Sequence, residues 1–144
     1  MSNQDLDRLF AGADDERLDA LFRSIDQPRN EVEYTFCCVW EASELLASDG
    51  FEMLFEQATS LDEYAACFVK IGMLDVKPIF DRVKALIPGE LQVPGNEEAM
   101  WSHSRNLFDE MKLLLSEYYE KSKNLLPTIG KYVREHRADL LAGK

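Results

Sequence analysis

The apolar residues of this chain recur at spacings of three and four rather than two, the period of a helix stripe and not of a half-buried strand. Leu and Ala together number 31 against 15 for Val, Ile and Thr. The pattern is therefore carried by good helix formers, with few of the stiff β-branched residues that favour strands. The fold class that follows is all-α. A chain of 144 residues is the size of one domain, so residues 1–144 read as a single α-helical domain, an irregular bundle of about six to seven helices.

Start and stop signals divide the pattern. Ser2 heads a short helix with Leu6, Leu9 and Phe10 that ends at Gly12, and a second helix follows from Asp14 to about Asp26 with Leu18, Leu21, Phe22 and Ile25 on one stripe. Asn30 with Glu33, and Ser60 with Glu63, have the spacing of capping boxes. The first opens a helix to about Ser48. Its run from Phe36 to Trp40 is wholly apolar and marks it as central. Asp49-Gly50 breaks that helix, Phe51 to Ala58 adds a helical turn or two, and Gly72 sits where a left-handed residue would end the helix begun at Ser60. Asp75 is expected to cap the next helix, with Pro78 in its first turn and an end at Pro88-Gly89. The segment Pro88 to Asn96 reads as a surface loop. A long helix is expected from Asn96 to about Asn124, and a last one after Pro127 with Ile129, Tyr132, Val133, His136 and Leu140 on one face.

Chemistry leaves few marks. Neither a nucleophile elbow, a phosphate loop, a dinucleotide fingerprint nor a zinc-protease His pair is present, and the reading is of a protein that is not an enzyme and needs no cofactor. Cys37, Cys38 and Cys67 are odd in number and lie in apolar runs, so they read as reduced, buried thiols, without a partner set for a metal. No apolar run is long enough for a membrane span, and Met1 to Asp5 lack signal-peptide character, so a cytoplasmic protein is expected.

Charge says more. The 27 acidic and 16 basic residues leave −11 at pH 7, which argues against direct contact with nucleic acid or an anionic membrane. The surplus is one-sided: residues 1–66 hold 16 acids and 4 bases, a net of −12, and residues 67–144 hold 11 acids and 12 bases, a net of +1. Asp15 with Asp19, Glu41 with Glu44, and Glu52 with Glu56 are like-charged pairs at helical spacing, each costing an isolated helix a few tenths of a kcal/mol. Together with Asp49 they form the candidate partner-binding set, a row of carboxylates able to present a DNA-like charge pattern to a basic protein surface.

The segment Val39-Trp40-Glu41 through Ser48-Asp49-Gly50-Phe51-Glu52-Met53-Leu54-Phe55-Glu56-Gln57, followed by Ile71-Gly72 and a helix ending at Pro88, resembles a family of small bacterial domains known chiefly for a DNA-mimic protein. The family hallmark is an acidic helix running into Asn-Gly-Gly-Phe-x-Gln-Tyr-Phe-x-Asn. Gly50, Phe51 and Phe55 match it, whereas Ser48, Asp49, Met53, Leu54 and Gln57 depart from it. Read physically, the motif is a helix break that turns two aromatic rings inward. The resemblance implies an all-α fold and an acidic surface that occupies a DNA-binding partner. The function expected is an acidic protein-interaction module, a DNA mimic on the basic surface of a DNA-binding protein. The alternatives are an immunity- or antitoxin-type protein neutralising a toxin, and a small enzyme with an unmarked site.

Overall fold

Asn30 and Ser60 begin the two helices around which the others pack. In each, an extended residue turns its side-chain oxygen onto the backbone N–H three residues on: Asn30 Oδ1 accepts from Glu33 N at 2.9 Å, and Ser60 Oγ accepts from Glu63 N at 3.2 Å. One of the unpaired donors at each helix start is thereby satisfied. The computed structural model describes residues 15–87, 98, 99, 102 and 107–141. Its helices are α1 (Asp15–Ser24), α2 (Glu31–Ser48), α3 (Leu61–Lys70), α4 (Val76–Leu86), α5 (Phe108–Lys121), α6 (Leu125–Glu135) and α7 (Arg137–Leu141), with a 3-10 turn, Phe51–Glu56, after α2. No strand occurs among the described residues, and the all-α reading stands.

The second helix is the centre. Val32, Glu33, Thr35, Phe36, Cys38, Val39, Trp40, Ala42 and Leu46 are all buried, as the unbroken apolar run requires. The helix is flanked by α1, the 3-10 turn, α3 and α7, while α3 packs on α4 and α4 on α5. Phe51, directly after the break, docks where α3, α4 and α5 meet. Its ring stands edge-on to Phe80 at 5.5 Å and to Tyr118 at 6.2 Å, and Phe68 meets Phe80 at 5.5 Å. Edge-to-face pairs of this kind contribute about 0.5–1.5 kcal/mol each beyond their burial. The Gly-Phe motif therefore works as architecture, fixing α2 to the far layer.

Several expected boundaries move. The helical turn expected over Phe51 to Ala58 is a 3-10 turn that ends at Glu56, so Leu54 (i+3) lines up with Phe51 and is as deeply buried as it is. Asp75 precedes α4 without capping it. Its backbone is already helical, φ −72° and ψ −13°, whereas a capping side chain needs an extended residue. The long helix is interrupted and ends early: residues 98, 99 and 102 are helical, Leu107 is in a turn, α5 begins at Phe108, and it stops at Lys121, where Ser122–Asn124 turn the chain and Leu125 starts α6 instead. Pro127 consequently sits inside the first turn of α6, where its missing N–H costs nothing. The last helix is divided at His136, whose backbone at φ −111° ends α6 before α7 carries Leu140 into the core. The expected helix at Ser2–Gly12 and loop at Pro88–Asn96 lie outside the described residues.

Candidate functional site

Between Arg29 and Lys70 the chain has no Lys, Arg or His. This gap contains the whole of α2 and the 3-10 turn, so any carboxylate there must find its counter-ion elsewhere or go without. Some find one. Glu31 pairs with Lys70, and Asp62 with Lys84 at 2.6 Å. Glu33, only 1% exposed, is held by Arg29, whose Nη2 lies 2.8 Å from one oxygen while its backbone N–H reaches the other at 2.9 Å. A carboxylate buried this deeply needs such a partner.

Glu41, Glu44, Asp49 and Glu52 make no ion pair among the described residues, Glu44 feeling the charge of Arg23, which is bonded to Asp19, although Lys77–Asp81, Arg82–Glu117 and Lys123–Glu120 pair readily in the second half. Glu44 and Asp49 are exposed, and Glu41 and Glu52 half-exposed. They run through the C-terminal half of α2, across the break and into the 3-10 turn. Asp49, the C-cap, stands at the negative end of the α2 dipole, which disfavours carboxylates, and the last turn of α2 holds no basic residue to offset it. Exposed Asp109 and Glu110, by contrast, stand in the first turn of α5, where the dipole favours them.

Asp19 is used differently. It accepts from Arg23 Nε at 2.7 Å and from the indole N–H of buried Trp40 at 3.3 Å, and it lies against Glu44 across the α1–α2 contact. Desolvation acts to raise the Asp19 carboxyl, but the bonds from Trp40 and Arg23 outweigh it and hold the group below its ordinary value. Glu44 moves the opposite way, raised first by desolvation and then by the Asp19 carboxylate beside it. Asp19 thus fastens α1 to α2 more than it extends an outward row, and Glu44 joins the two helices' acids into one patch. Asp15 begins α1 and Glu56 ends the 3-10 turn, and both side chains lie outside the described residues. The expected Glu52–Glu56 row therefore lies partly outside the described residues. Glu52 folds back over Gly50, its Oε2 2.9 Å from where a Cβ there would stand.

Of the thiols, Cys38 and Cys67 are buried as expected, while Cys37 is only half-buried. Burial first, then the neighbouring Cys38 and the Glu33 and Glu41 carboxylates, push the Cys37 thiol up to about 12, which leaves it protonated and a poor nucleophile at neutral pH. Among the described residues no three His, Cys, Asp or Glu side chains converge as a metal cage, and no helix is long and apolar enough to cross a membrane.

Fold and surface together define an all-α protein with a carboxylate run that makes no ion pair among the described residues, beside an architectural Gly-Phe break. The family model of the DMP19-like proteins, named for a DNA mimic protein, matches residues 27–136, and the chain belongs to that family. The match takes in α2 through α6 and leaves α1 outside it. Neither the curated proteins nor the solved structures yield a match to the chain.

Proposed function

We propose that this protein is a binding module, not a catalyst, whose α2–3-10 carboxylate run stands in for a DNA strand and occupies the basic surface of a DNA-binding protein. One observation carries the reading: Glu41, Glu44, Asp49 and Glu52 follow one another without an ion pair to any basic residue among the described ones, and Asp49 stands at the unfavourable end of a helix dipole. Such an arrangement costs the fold stability, and a basic partner surface is what would offset it. Membership of a DNA-mimic family supports the choice of partner class.

Magnitudes limit how good a mimic it is. Glu41 to Asp49 spans about 12 Å of helix axis at 1.5 Å per residue and carries three carboxylates. A DNA strand places one phosphate per roughly 3.4 Å. The run therefore has about half the linear charge density of one strand, and the salt dependence of binding should be correspondingly shallower than that of the partner's own DNA complex.

The test is charge reversal. With a partner captured from the native host, Glu41→Lys, Glu44→Lys, Asp49→Lys and Glu52→Lys together should slow association by tenfold or more at low salt, an effect that fades as salt rises. The same reversal at Asp81, Glu117, Glu120 and Glu135, whose charges are already paired, should matter far less, provided both variants keep wild-type helicity. Equal losses from both sets would reduce the reading to generic acidity.

A further inference from the structure

Three large apolar side chains among the described residues are exposed: Leu74, Leu113 and Tyr119. Tyr119 differs from the other two in being fixed. Its hydroxyl donates to Leu46 O at 2.7 Å, one of the last carbonyls of α2, which lack a partner inside the helix. Its ring also leans on Tyr118 at 5.7 Å, yet 45% of the residue faces solvent. An amphipathic ring held in one orientation and left open is the usual make-up of an interface anchor, because little side-chain freedom remains to be lost on binding.

Its position decides what it would hold. Leu46 lies three residues before Asp49. One turn back along α5, Leu115 stands 3.7 Å from the Cβ position at Gly50, the glycine over which the Glu52 carboxylate is folded. Tyr119 is thus held on the last turn of α2, three residues before Asp49, and the preceding turn of its own helix carries Leu115 to Gly50 and the Glu52 carboxylate. Asp49 and Glu52 are the two acids that follow α2 without an ion pair among the described residues. We infer that Tyr119 is the specificity anchor of the binding surface, and that it takes an arginine side chain of the basic partner. The guanidinium stacks on the exposed ring while its N–H groups are shared with the neighbouring carboxylates. Arginine suits this better than lysine: its planar, weakly hydrated cation stacks on aromatic faces and bonds carboxylates as a fork, whereas an ammonium is a compact and strongly hydrated point charge. The inference rests on the acidic-surface reading above and adds to it a chemical preference that carboxylates alone would not set.

Fluorescently labelled deca-arginine and deca-lysine peptides separate the two. At low ionic strength the wild-type protein should bind deca-arginine more tightly, and Tyr119→Leu should reduce that advantage by about two- to fivefold, the size of an exposed cation–π contact, with deca-lysine binding little changed. Tyr119→Phe keeps the ring and should keep most of the preference. Leu113→Ala, an exposed apolar control on the same helix, should leave it unmoved, and circular dichroism should show wild-type helicity for all three. An arginine advantage unchanged in Tyr119→Leu, or absent in the wild type, overturns the anchor while leaving the acid run standing. Failure to bind either peptide overturns both.

Discussion

The hydroxyl of Tyr34 donates to Glu63 Oε2 at 2.6 Å, joining α2 to α3, and it is the main reason that the Glu63 carboxyl is held below its ordinary value. A carboxyl whose folded value is depressed contributes stability that is complete above its unfolded value, about 4.3 for Glu, and lost as pH falls through the lower folded one. Tyr34→Phe should accordingly cost about 0.5–1 kcal/mol in urea unfolding at pH 7, the low end for a charge-assisted bond because Glu63 is open to water. The gap to wild type should close as pH drops below 4. A gap of constant size would show that the hydroxyl acts through packing and not through this proton. At this scale the sequence was readable where the partners are local. The bonds of Asn30 to Glu33 and of Ser60 to Glu63 span three residues. Tyr34 with Glu63 and Trp40 with Asp19 are 29 and 21 residues apart, and nothing in the local pattern marks one acid of a surplus as the one turned inward.

Gly50 and Gly72 punctuate the elements, and their backbones set different demands. Gly72, at φ +98°, ends α3: its N–H bonds Val69 O at 3.0 Å and that of Met73 bonds Phe68 O at 2.9 Å, the paired closure of a left-handed cap. A Cβ there would meet nothing within 4 Å. Gly72→Ala should therefore lose only the conformational cost, about 1 kcal/mol. Gly50, at φ +88° and ψ −171°, occupies a region essentially closed to residues with a Cβ. Gly50→Ala should cost about 2–3 kcal/mol, with the Glu52 carboxylate, at the far end of a flexible side chain, stepping aside cheaply. Denaturant midpoints of the two variants compare them directly, and an equal cost would mean that the break after α2 relaxes into an ordinary cap. The strength of these signals also explains which elements could be read in advance. α2, α3 and α4 are bounded by caps, glycine or an early proline, and their ranges were close. The 3-10 period is not legible in the sequence, because Phe51, Leu54 and Phe55 satisfy either period, and only the structure shows Phe51 docked against Phe80 and Tyr118. The division of the last helix at His136 likewise carries no Gly or Pro to announce it.

Over the whole molecule the charge is divided as the sequence divides it, with a net of −12 in residues 1–66 and +1 in residues 67–144, and folding offsets part of the difference by bringing Lys70 and Lys84 to Glu31 and Asp62. Among the described residues, the acids from Glu41 to Glu52 are left without an ion pair, as are Asp75, Asp109 and Glu110 in the second half. Linear charge counting places the surplus only in residues 1–66, and it cannot show that Asp19 is tied to Trp40 and Arg23, because that depends on α1 packing on α2. If the unpaired acids are retained for a partner, the free protein carries their repulsion as a stability deficit, and neutral isosteres should remove it. Glu41→Gln, Glu44→Gln, Asp49→Asn and Glu52→Gln together relieve the like-charge spacing of Glu41 and Glu44, the Glu44–Asp19 repulsion and the unfavourable charge of Asp49 at the α2 terminus, a few tenths of a kcal/mol apiece. The sum is roughly 1 kcal/mol, or a rise in Tm of about 3–6 °C for a chain of this size. At 1 M salt, where the Debye length is about 3 Å, the wild type should gain most of the same increment and the difference between the two should nearly vanish. The neutral variant should at the same time bind a captured partner more weakly than wild type. A thermal melt showing no low-salt gain would mean that the acids are already accommodated by solvent and cost the fold nothing. A gain that persists at 1 M would assign it to packing. A gain in stability without any loss of binding would leave the acid run as a solubilising face and move recognition elsewhere on the molecule.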